Sequence, residues 1–515
     1  MALRSHVVLP ALLVVVPSVA QTTLLDPGFG EGGITHFAVG QAGGDRGEDV
    51  VIGADGKIQI AATRGFQSGS MAAVRLLPDG TLDPSFSADG IASAPMGQYG
   101  EARAIALQPD GRVIIGGSAY YDVTFDDLAL ARFTSGGALD TTFSGNGRLN
   151  IPASGSLDLV RAITVLPDGR IQVGGKFDGG TTDMMSLRLL ANGDLDPSFA
   201  GDGIFSTTLH TGEVSESMLV RDDGRVVLGG GWRVLLPDAD MALFQVDEDG
   251  TPDAGFGTNG LFRPSEPGSA STAITLIGMP DGGTLFLAKR YWPGGQDQDG
   301  FVGRVTAAGE WDPTYGIGGR AILDVGPPYV GTVRDMVLLS NNKSVVSWDL
   351  LDTSNNTLSL MVMRLMPDGA FDATFGNDGK VVIPCPDLGC SVEALAVGAE
   401  DRVVAVGSQN TPSGQEVMVM KWLQELVPAG VEEERSVTFR VYPVPCRDVI
   451  TIADDAALPQ GARYQLIDAG GSAVTELQHT SGRRLMIPSE VRNGVYALRV
   501  IGSTQTLTCR IVVQR

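Results

Sequence analysis

Residues 82–90 read Leu-Asp-Pro-Ser-Phe-Ser-Ala-Asp-Gly, and variants of this segment recur along most of the chain. Every variant places an aromatic residue three positions after an aspartate, and successive aspartates are 57, 57, 56, 57, 59 and 60 residues apart. The seven pairs are Asp26 and Phe29, Asp83 and Phe86, Asp140 and Phe143, Asp196 and Phe199, Asp253 and Phe256, Asp312 and Tyr315, and Asp372 and Phe375. So steady a period indicates a repeat architecture.

Each unit contains about four short apolar runs, separated by glycine, aspartate and proline. After Asp83 these runs are residues 91–94, 104–107, 112–117 and 128–133. Asp110-Gly111 joins the second run to the third and predicts a hairpin. Such runs are too short for helices, and four-stranded units in series are typical of β-propeller blades. The sequence therefore predicts an all-β chain with a seven-bladed β-propeller of about 57-residue four-stranded repeats. A parallel β-helix is the alternative.

The way the chain enters and leaves the repeats predicts how the ring closes. It enters at a motif and leaves at the strand 417–423, so that whole units are used. We therefore expect closure largely through packing of the seventh blade on the first. A closed ring is favoured because an open row of blades leaves two faces exposed.

The last strand of each unit carries a basic residue, with Gln245 as the exception. The basic residues are Arg75, Arg132, Arg188, Arg304, Arg364 and Lys421, and acids five positions earlier are Asp127, Asp183, Asp240, Asp299 and Glu416. An odd spacing points two strand residues to opposite faces. Because an arginine in an apolar strand needs a partner, we expect a bond to a neighbouring strand or blade, with a motif aspartate such as Asp83 or Asp140 as the acceptor. The alternative role of Asp83, Asp89 and their equivalents is calcium binding.

From the sequence we identify no catalytic, cofactor-binding or metal-binding residue. His36 and His210 are the histidines of the propeller region, and neither recurs from unit to unit. Many carboxylates are present, but no acid pair stands out. We expect aromatic residues in the loops between strands to pack there or to contact sugars or peptides; they are Tyr120, Tyr121, Trp232, Tyr291, Trp292 and Tyr329.

Residues 1–20 are typical of a secretory signal peptide. Arg4 precedes an apolar run from Val7 to Val16, and the small residues Ser18-Val19-Ala20 follow. This run is too short to span a membrane, and no later run reaches the length of about 18 apolar residues that a membrane helix needs. The formal net charge of -23 argues against a nucleic-acid partner. We expect an exported chain without a membrane span.

Four cysteines, Cys385, Cys390, Cys446 and Cys509, allow three disulfide pairings in an exported chain. The favoured pairing joins Cys385 to Cys390 across a short loop, and Cys446 to Cys509 within the last domain. Free buried thiols are the alternative. Metal binding by these cysteines is disfavoured because no histidine after the signal peptide lies near them in sequence.

The composition changes after the last repeat. Residues 21–424 form the predicted propeller, and residues 425–438 contain Pro428-Ala429-Gly430 and the acidic run 432–434, which is typical of a solvated linker. Residues 439–515 alternate short apolar runs with glycine turns and predict a small C-terminal β-sandwich domain.

The quoted segment, the Gln-Pro-Asp-Gly-Arg-Val run at residues 108–113 and Leu-Ala-Leu-Ala-Arg-Phe at 128–133 resemble the delta-60 repeat of bacterial surface and exported proteins. The tail, with Tyr442-Pro443-Val444-Pro445 and Gly494-Val495-Tyr496, resembles the C-terminal sorting domain of type IX secretion cargo, although Val444 stands where that family has asparagine. The first resemblance implies a propeller and transfers no catalytic residue. The second implies recognition by the type IX secretion machinery, passage through the periplasm, removal of the tail, and release or attachment at the cell surface.

Two function classes remain open at this point. The leading hypothesis is a secreted or cell-surface propeller that acts as a binding or structural module for an unknown extracellular ligand, a glycan or a protein. The alternative is an extracellular enzyme that degrades polysaccharide or peptide with acids on a propeller face. A calcium-dependent adhesin is a third reading.

Overall fold

The computed structural model describes eighteen stretches of the chain. They are residues 22–40, 43–65, 69–121, 125–152, 158–178, 182–207, 213–232, 241–264, 270–291, 298–326, 329–385, 389–428, 441–442, 448–452, 463–467, 473–481, 484–501 and 506–513. One compact unit spans Leu24–Leu426, and a second holds the described residues from Val427 onward. The predicted signal peptide and most of the predicted linker lie outside the described residues.

The first unit contains seven antiparallel sheets, which confirm the all-β, seven-bladed prediction. Two short strands come first, β1 (Thr22–Leu25) and β2 (Ile34–Phe37). The first three blades are β3 (Arg46–Ile52), β4 (Ile58–Arg64), β5 (Ser70–Leu76) and β6 (Ile91–Ala94); β7 (Tyr99–Leu107), β8 (Val113–Tyr121), β9 (Phe125–Phe133) and β10 (Arg148–Ile151); and β11 (Leu159–Val165), β12 (Ile171–Asp178), β13 (Thr182–Leu189) and β14 (Ile204–Thr207).

The next three blades repeat this four-stranded order. They are β15 (Glu213–Val220), β16 (Val226–Trp232), β17 (Met241–Val246) and β18 (Leu261–Phe262); β19 (Ala270–Gly278), β20 (Thr284–Tyr291), β21 (Gln298–Val305) and β22 (Arg320–Leu323); and β23 (Tyr329–Leu338), β24 (Ser344–Asp352), β25 (Thr357–Leu365) and β26 (Lys380–Pro384). The seventh has β27 (Cys390–Val397), β28 (Val403–Thr411) and β29 (Gly414–Pro428), with a 3-10 turn at Ala399–Asp401.

The first strands of the seven blades line the centre of the ring. Each packs against the first strand of the next blade, and β27 packs against β3, so the ring is closed. At one end, here called the motif end, lie the motifs and the turns between first and second strands. The opposite loop end carries the connections between second and third strands and those that lead to the next blade.

Ring closure corrects the expectation that the last blade joins the first largely through packing. The strand after each motif pairs with the strand before it, as β6 pairs with β5, so each blade takes its outermost strand from the unit that follows in sequence. The seventh blade therefore takes its outermost strand from the start of the repeats: β2 pairs with β29, with Ile34 opposite Met420 and Phe37 opposite Val417. β1 also lies beside β29. Closure uses backbone hydrogen bonds as well as packing.

The apolar core lies between blades. Each of seven clusters in this unit combines residues from two neighbouring blades; one, for example, joins Val50 and Ile60 of the first blade to Val404 and Val419 of the seventh. This arrangement follows from the strand pattern, because a blade that is apolar on both faces needs a neighbour on each side. The motif aromatics all belong to this core and expose 2% of their surface or less.

The turn between the first and second strands is a three-residue loop that ends on a left-handed residue. In the first blade Gly56 N–H donates to the Gly53 carbonyl oxygen and Gly56 has a φ of +78°. Glycine adopts this conformation without steric cost. In the last two blades Asn342 (φ 62°) and Asp401 (φ 57°) occupy the position.

The second unit is a seven-stranded antiparallel arrangement in the order β30-β31-β34-β33-β32-β35-β36. Its strands are β30 (Val441–Tyr442), β31 (Val449–Ile452), β32 (Arg463–Ile467), β33 (Ala473–Ser481), β34 (Arg484–Met486), β35 (Gly494–Ile501) and β36 (Thr506–Val513). β33 pairs with β32 through its first residues and with β34 through its last. Residues from both halves, including Ile450, Leu485 and Leu498, form one apolar core. In the described parts of the whole chain, no helix is long and apolar enough to cross a membrane.

Candidate functional site

The motif aspartate caps its own turn with one carboxylate oxygen. Asp140 Oδ1 accepts hydrogen bonds from the backbone N–H of Thr142 at 3.1 Å and from its hydroxyl at 2.7 Å. The same oxygen of the other motif aspartates accepts the N–H two residues on, at Gly28, Ser85, Ser198, Gly255, Thr314 and Thr374. Aspartate is suited to this position because its short side chain reaches the backbone two residues away.

The other carboxylate oxygen binds cations of the same blade. Asp140 Oδ2 lies 2.8 Å from Arg132 Nε and 2.9 Å from Arg112 Nε. We call this arrangement the clamp. The other clamps join Asp26 to Arg402 and Lys421, Asp83 to Arg75 and Lys57, Asp196 to Arg188 and Arg170, Asp253 to Gln245 and Arg225, Asp312 to Arg304, and Asp372 to Arg364 and Lys343. The strand arginine and the motif aspartate are therefore partners.

The clamp of the second blade also ties this blade to the next. Arg132 Nη1 donates to the Ala191 carbonyl oxygen at 2.5 Å, and the guanidinium lies 4.8 Å from the centre of the Phe143 ring. The backbone N–H of Ser144 donates to the Asn192 carbonyl oxygen at 2.8 Å. One motif thus joins a cap, an ion pair, a buried aromatic ring and a contact between blades.

The clamp holds the motif carboxylates ionised. Burial disfavours the charge of Asp196, but the hydrogen bonds from Ser198 and the ion pair with Arg188 outweigh it and lower the pKa to about 2. The pKa values of Asp83, Asp140, Asp253, Asp312 and Asp372 are lowered as well. Both oxygens of these aspartates bind donors of the protein. These contacts explain why aspartate occupies the motif position without invoking a calcium ion. Within the described residues, no group of three or more His, Cys, Asp or Glu side chains is arranged to hold a metal ion.

A second set of charges lies at the centre of the ring. Each of the seven first strands contains a β-bulge, which sets a residue out of the ladder. The bulged residues are Glu48, Arg103, Arg161, Glu216, Ile274, Arg334 with Asp335, and Glu393. We call the six charged residues Glu48, Arg103, Arg161, Glu216, Arg334 and Glu393 the charged ring.

Members of the charged ring pair between neighbouring blades. Arg103 donates to Glu48 at 2.7 Å, Arg161 Nε lies 3.1 Å from Glu216, and Arg334 Nη1 lies 3.2 Å from Glu393. The blade with the uncharged Ile274 supplies Lys289 from its second strand instead. The pKa of Lys289 is lowered, mainly by burial and then by Arg334, and the opposing effects of Glu216 and Glu393 are smaller. Lys289 therefore interacts with charges of several blades.

Two further aspartates join blades inside the ring. Asp49 accepts the N–H of Ile105 at 2.9 Å and that of Val50 at 2.8 Å. Asp335 accepts the N–H of Leu395 at 2.7 Å and the hydroxyl of Thr275 at 2.7 Å. Burial, only partly offset by these hydrogen bonds, raises the pKa of Asp49 to about 7 and that of Asp335 to about 6.

A pocket of about 270 Å³ opens beside the charged ring between the first two blades. Its lining combines two ring members with further polar side chains and four glycines: Glu48, Arg103, Arg46, Glu101, Thr63, Tyr99, Gly44, Gly65, Gly69 and Gly100. We call it the inter-blade cleft. A larger open depression of about 600 Å³ at the motif end is lined largely by clamp residues and acidic turns of the third and fourth blades.

The remaining candidate residues lie in several places. Cys385 and Cys390 are joined by a disulfide. Cys446 lies outside the described residues, as do His210 and Trp292. His36 is exposed on β2 and lies 2.7 Å from Glu416 on β29.

The aromatic residues expected in loops lie at strand ends instead. Tyr120 and Tyr121 end β8, Trp232 ends β16, Tyr291 ends β20, and Tyr329 begins β23. The strands extend farther toward the loop end than the apolar runs of the sequence predict. The aromatic residues belong to these extensions and take part in the strand pairing.

Sequence reasoning missed the charged ring. Its members lie seven residues before the first turn position of each unit, as Glu48 precedes Asp55 and Arg103 precedes Asp110. The fixed spacing is a usable signal. It is hidden because the residue type changes between glutamate and arginine, whereas the motif aspartates keep their type.

Two protein families match parts of the chain. Residues 53–86, 108–143 and 166–199 match the domain of unknown function (DUF5122) β-propeller, and residues 440–514 match the secretion system C-terminal sorting domain. The chain therefore carries β-propeller repeats of this kind and a type IX sorting domain. The sorting domain indicates a protein that is exported and is secreted or displayed at the cell surface. No curated protein sequence matches the chain.

Several solved structures are similar at low identity. An ulvan lyase, from a new family of polysaccharide lyases, has a TM-score of 0.40 at 9% identity over 76% of this chain and 96% of that one. The β-propeller domain of the Trilobed protease from Pyrococcus furiosus has a TM-score of 0.38 at 10% identity over 74% and 93%. A Penicillium chrysogenum α-L-arabinanase complexed with arabinobiose has a TM-score of 0.37 at 12% identity over 74% and 94%. Similarity at this level carries no information on ligand or reaction.

Proposed function

We propose that this exported propeller is a binding module that holds an extracellular ligand, a glycan or a protein, at the loop end and centre of its ring. The observation that carries the proposal is the charged ring. The seven equivalent bulge positions hold these six charged residues and Ile274, with glutamate and arginine in an irregular order, and the blade with Ile274 supplies Lys289 beside them. A residue that serves the fold alone keeps its type from blade to blade, as the motif aspartates do.

The contrast between the two ends of the ring supports this proposal. At the motif end, charged side chains are engaged in seven nearly identical clamps. Nearer the loop end, polar and aromatic side chains differ between blades and line the inter-blade cleft. A rigid frame with variable side chains at one end is a common arrangement for binding.

The competing role is an enzyme that cleaves a glycan or a peptide. Such an enzyme needs an acid within hydrogen-bonding distance of its substrate. Asp49 and Asp335 have pKa values near the range of a catalytic acid, but both oxygens of each already accept hydrogen bonds from the protein. These acids are therefore better suited to hold neighbouring blades together.

One experiment separates the two roles. The purified exported protein is passed over immobilised glycans and peptides, and the same ligands are followed in solution for cleavage. We expect retention of at least one ligand with its chain length unchanged. Turnover without retention would favour the enzyme and contradict the binding module.

We also propose that the tail, residues 439–515, serves the secretion machinery and is removed after passage through the periplasm and across the outer membrane. The match of residues 440–514 to the sorting domain supports this route. Mass spectrometry of the exported protein should find a C-terminus well before Arg515. Exported protein that still ends at Arg515 would contradict removal of the tail.

A further inference from the structure

The inter-blade cleft lies where the first strands of the first two blades begin. Arg46 and Glu48 come from β3, and Tyr99, Glu101 and Arg103 come from β7. Its volume of about 270 Å³ lies just below the range of about 300–1,000 Å³ typical of small-molecule sites. The cleft therefore has room for a ligand unit of one ring rather than for a folded peptide segment.

Its charged side chains balance one another. Arg103 donates to Glu48 and to Glu101, both at 2.7 Å, and Arg46 Nε donates to Gln415 at 3.3 Å. Two arginines and two glutamates give the cleft no formal net charge. A charged ligand would have to disrupt these pairs at a cost in free energy. A neutral ligand with several hydroxyl groups can accept from the guanidinium groups and donate to the carboxylates while the pairs persist.

One wall of the cleft is aromatic. The rings of Tyr99 and Tyr120 are parallel, with centres 4.8 Å apart and planes 4° apart. This stacking holds Tyr99 in a fixed orientation in the lining. An aromatic face next to hydrogen-bonding groups matches a ligand that has both C–H faces and hydroxyl groups.

The backbone supplies the rest of the surface. Four lining residues are glycines, and three of them, Gly65, Gly69 and Gly100, come together where Gly100 N–H donates to the Gly69 carbonyl oxygen at 2.8 Å. Asp45, which is fully buried, fixes this rim by accepting the N–H groups of Val39, Gly40 and Gly65. The cleft is thus preformed, which limits the ordering cost of binding.

We propose that the inter-blade cleft binds one neutral sugar unit of an extracellular glycan, with Tyr99 against the sugar ring and Arg46, Glu48, Glu101 and Arg103 as hydrogen-bonding partners of its hydroxyl groups. This inference rests on the proposed binding function and names its ligand class and site. It involves no bond cleavage.

The test uses the whole exported protein and a panel of neutral hexasaccharides (cellohexaose, xylohexaose, mannohexaose and laminarihexaose), with an oligogalacturonate and a random peptide mixture alongside. Binding is measured by calorimetry. We expect at least one neutral hexasaccharide to bind, with an affinity that changes less than twofold between 50 and 500 mM NaCl, because the cleft has no net charge to be screened.

Two variants locate the site. Tyr99→Ala removes the aromatic wall, and Glu101→Gln keeps the size of a side chain that is 42% exposed but removes its charge. Both should weaken binding at least tenfold while the protein still unfolds in one cooperative thermal transition. Tyr329→Ala is the matched control, because Tyr329 also begins the first strand of a blade but lies outside the cleft. It should bind like the unaltered protein.

The outcomes separate the site from the function. Sugar binding that is equal in Tyr99→Ala, Glu101→Gln and the control would overturn the cleft and leave the binding module standing. Binding of the oligogalacturonate alone or of peptides alone would overturn the assignment of a neutral sugar but would still support the proposed binding module. Retention of nothing in the panel would count against both.

Discussion

At the scale of single residues, the motif aspartate uses each oxygen for a different purpose: one caps a turn and the other neutralises buried cations. The first purpose depends on shape and the second on charge. Asparagine preserves the first and removes the second, so the two contributions can be measured separately.

Asp196→Asn should destabilise the propeller by about 3–5 kcal/mol, because it leaves Arg188, which is 2% exposed, without its anion. The midpoint of urea unfolding measures the change. Asp202→Asn is the matched control: Asp202 accepts the Ile204 N–H in the same way at an exposed site and should change stability by less than about 0.5 kcal/mol. Equal effects of the two variants would contradict the role of the ion pair.

The fourth blade provides a natural variant of the clamp. Gln245 replaces the strand arginine and donates to Asp253 at 2.6 Å. Arg221 then donates to Gln245 at 2.8 Å and to the Gly282 carbonyl oxygen at 2.7 Å, which restores the link to the next blade. The guanidinium is supplied from the turn after β15 but acts between the same two blades.

Gln245→Arg should therefore destabilise the protein, because it adds a second guanidinium beside Arg221. Arg221→Leu should also destabilise it, because the Gly282 carbonyl oxygen loses its donor. The double variant recreates the clamp of the other blades and should recover about 1–3 kcal/mol relative to the sum of the single changes. Urea unfolding of all four proteins gives this coupling energy, and strictly additive effects would contradict the exchange of roles.

At the scale of strands and turns, the repeated turns of the last two blades lack the glycine of the other five. Asn342 and Asp401 adopt the left-handed conformation that glycine holds in the first five blades. Asn342→Gly should raise the free energy of unfolding by less than about 1 kcal/mol, because asparagine tolerates this region better than most residues.

Asp401→Gly is the informative comparison for this turn. Asp401 accepts the N–H and the hydroxyl of Ser340 at 2.8 and 2.7 Å, so glycine removes two contacts while it relieves the backbone. Thermal unfolding should show a higher melting temperature for Asn342→Gly and no gain for Asp401→Gly. A gain in both would mean that the Ser340 contacts contribute nothing.

The closing strand β2 makes a stronger prediction. A protein that begins at Ala38 lacks the outermost strand of the seventh blade, the Asp26 clamp and the buried Phe29. It should unfold at a lower urea concentration and should associate through the exposed edge of β29. A synthetic peptide of residues 22–37, added in trans, should restore the midpoint. A shortened protein as stable as the full one would show that packing suffices for closure.

These elements explain which parts of the fold are predictable from sequence. The repeat gives the number of blades, the hairpin turns and the pairing of Arg132 with Asp140, because one role recurs with one residue type. It gives the wrong mode of closure, because the sequence does not say whether the strand after a motif joins the blade behind it or the one ahead. The cleft is hidden too, since it forms between two units, where Arg103 pairs with Glu48 of the preceding unit.

At the scale of the whole molecule, the ring contains two groups of carboxylates with opposite pH dependence. Six motif aspartates, Asp83, Asp140, Asp196, Asp253, Asp312 and Asp372, have lowered pKa values. Their contribution to stability is therefore complete above about pH 4, the ordinary pKa of aspartate, and is lost as the pH falls toward their folded values. These aspartates form the clamps, and their protonation determines the acid limb of the stability profile, which is the loss of stability below about pH 4.

Asp49 and Asp335 have the opposite sign, because their folded pKa values of about 7 and about 6 lie above the ordinary value near 3.9. Between these limits the folded protein binds more protons than the unfolded chain, so the free energy of unfolding falls as the pH rises. The propeller should therefore be most stable near pH 4 and should lose stability on both sides of that pH. Urea midpoints from pH 2 to 9 measure this profile. Asp49→Asn and Asp335→Asn should each flatten the decline between about pH 4 and 7 and leave the loss of stability below pH 4 in place, whereas Asp196→Asn should reduce that acid loss alone. If the free energy of unfolding declined above about pH 4 by the same amount in the variants and in the unaltered protein, these two carboxyl groups would not retain their protons in the folded ring.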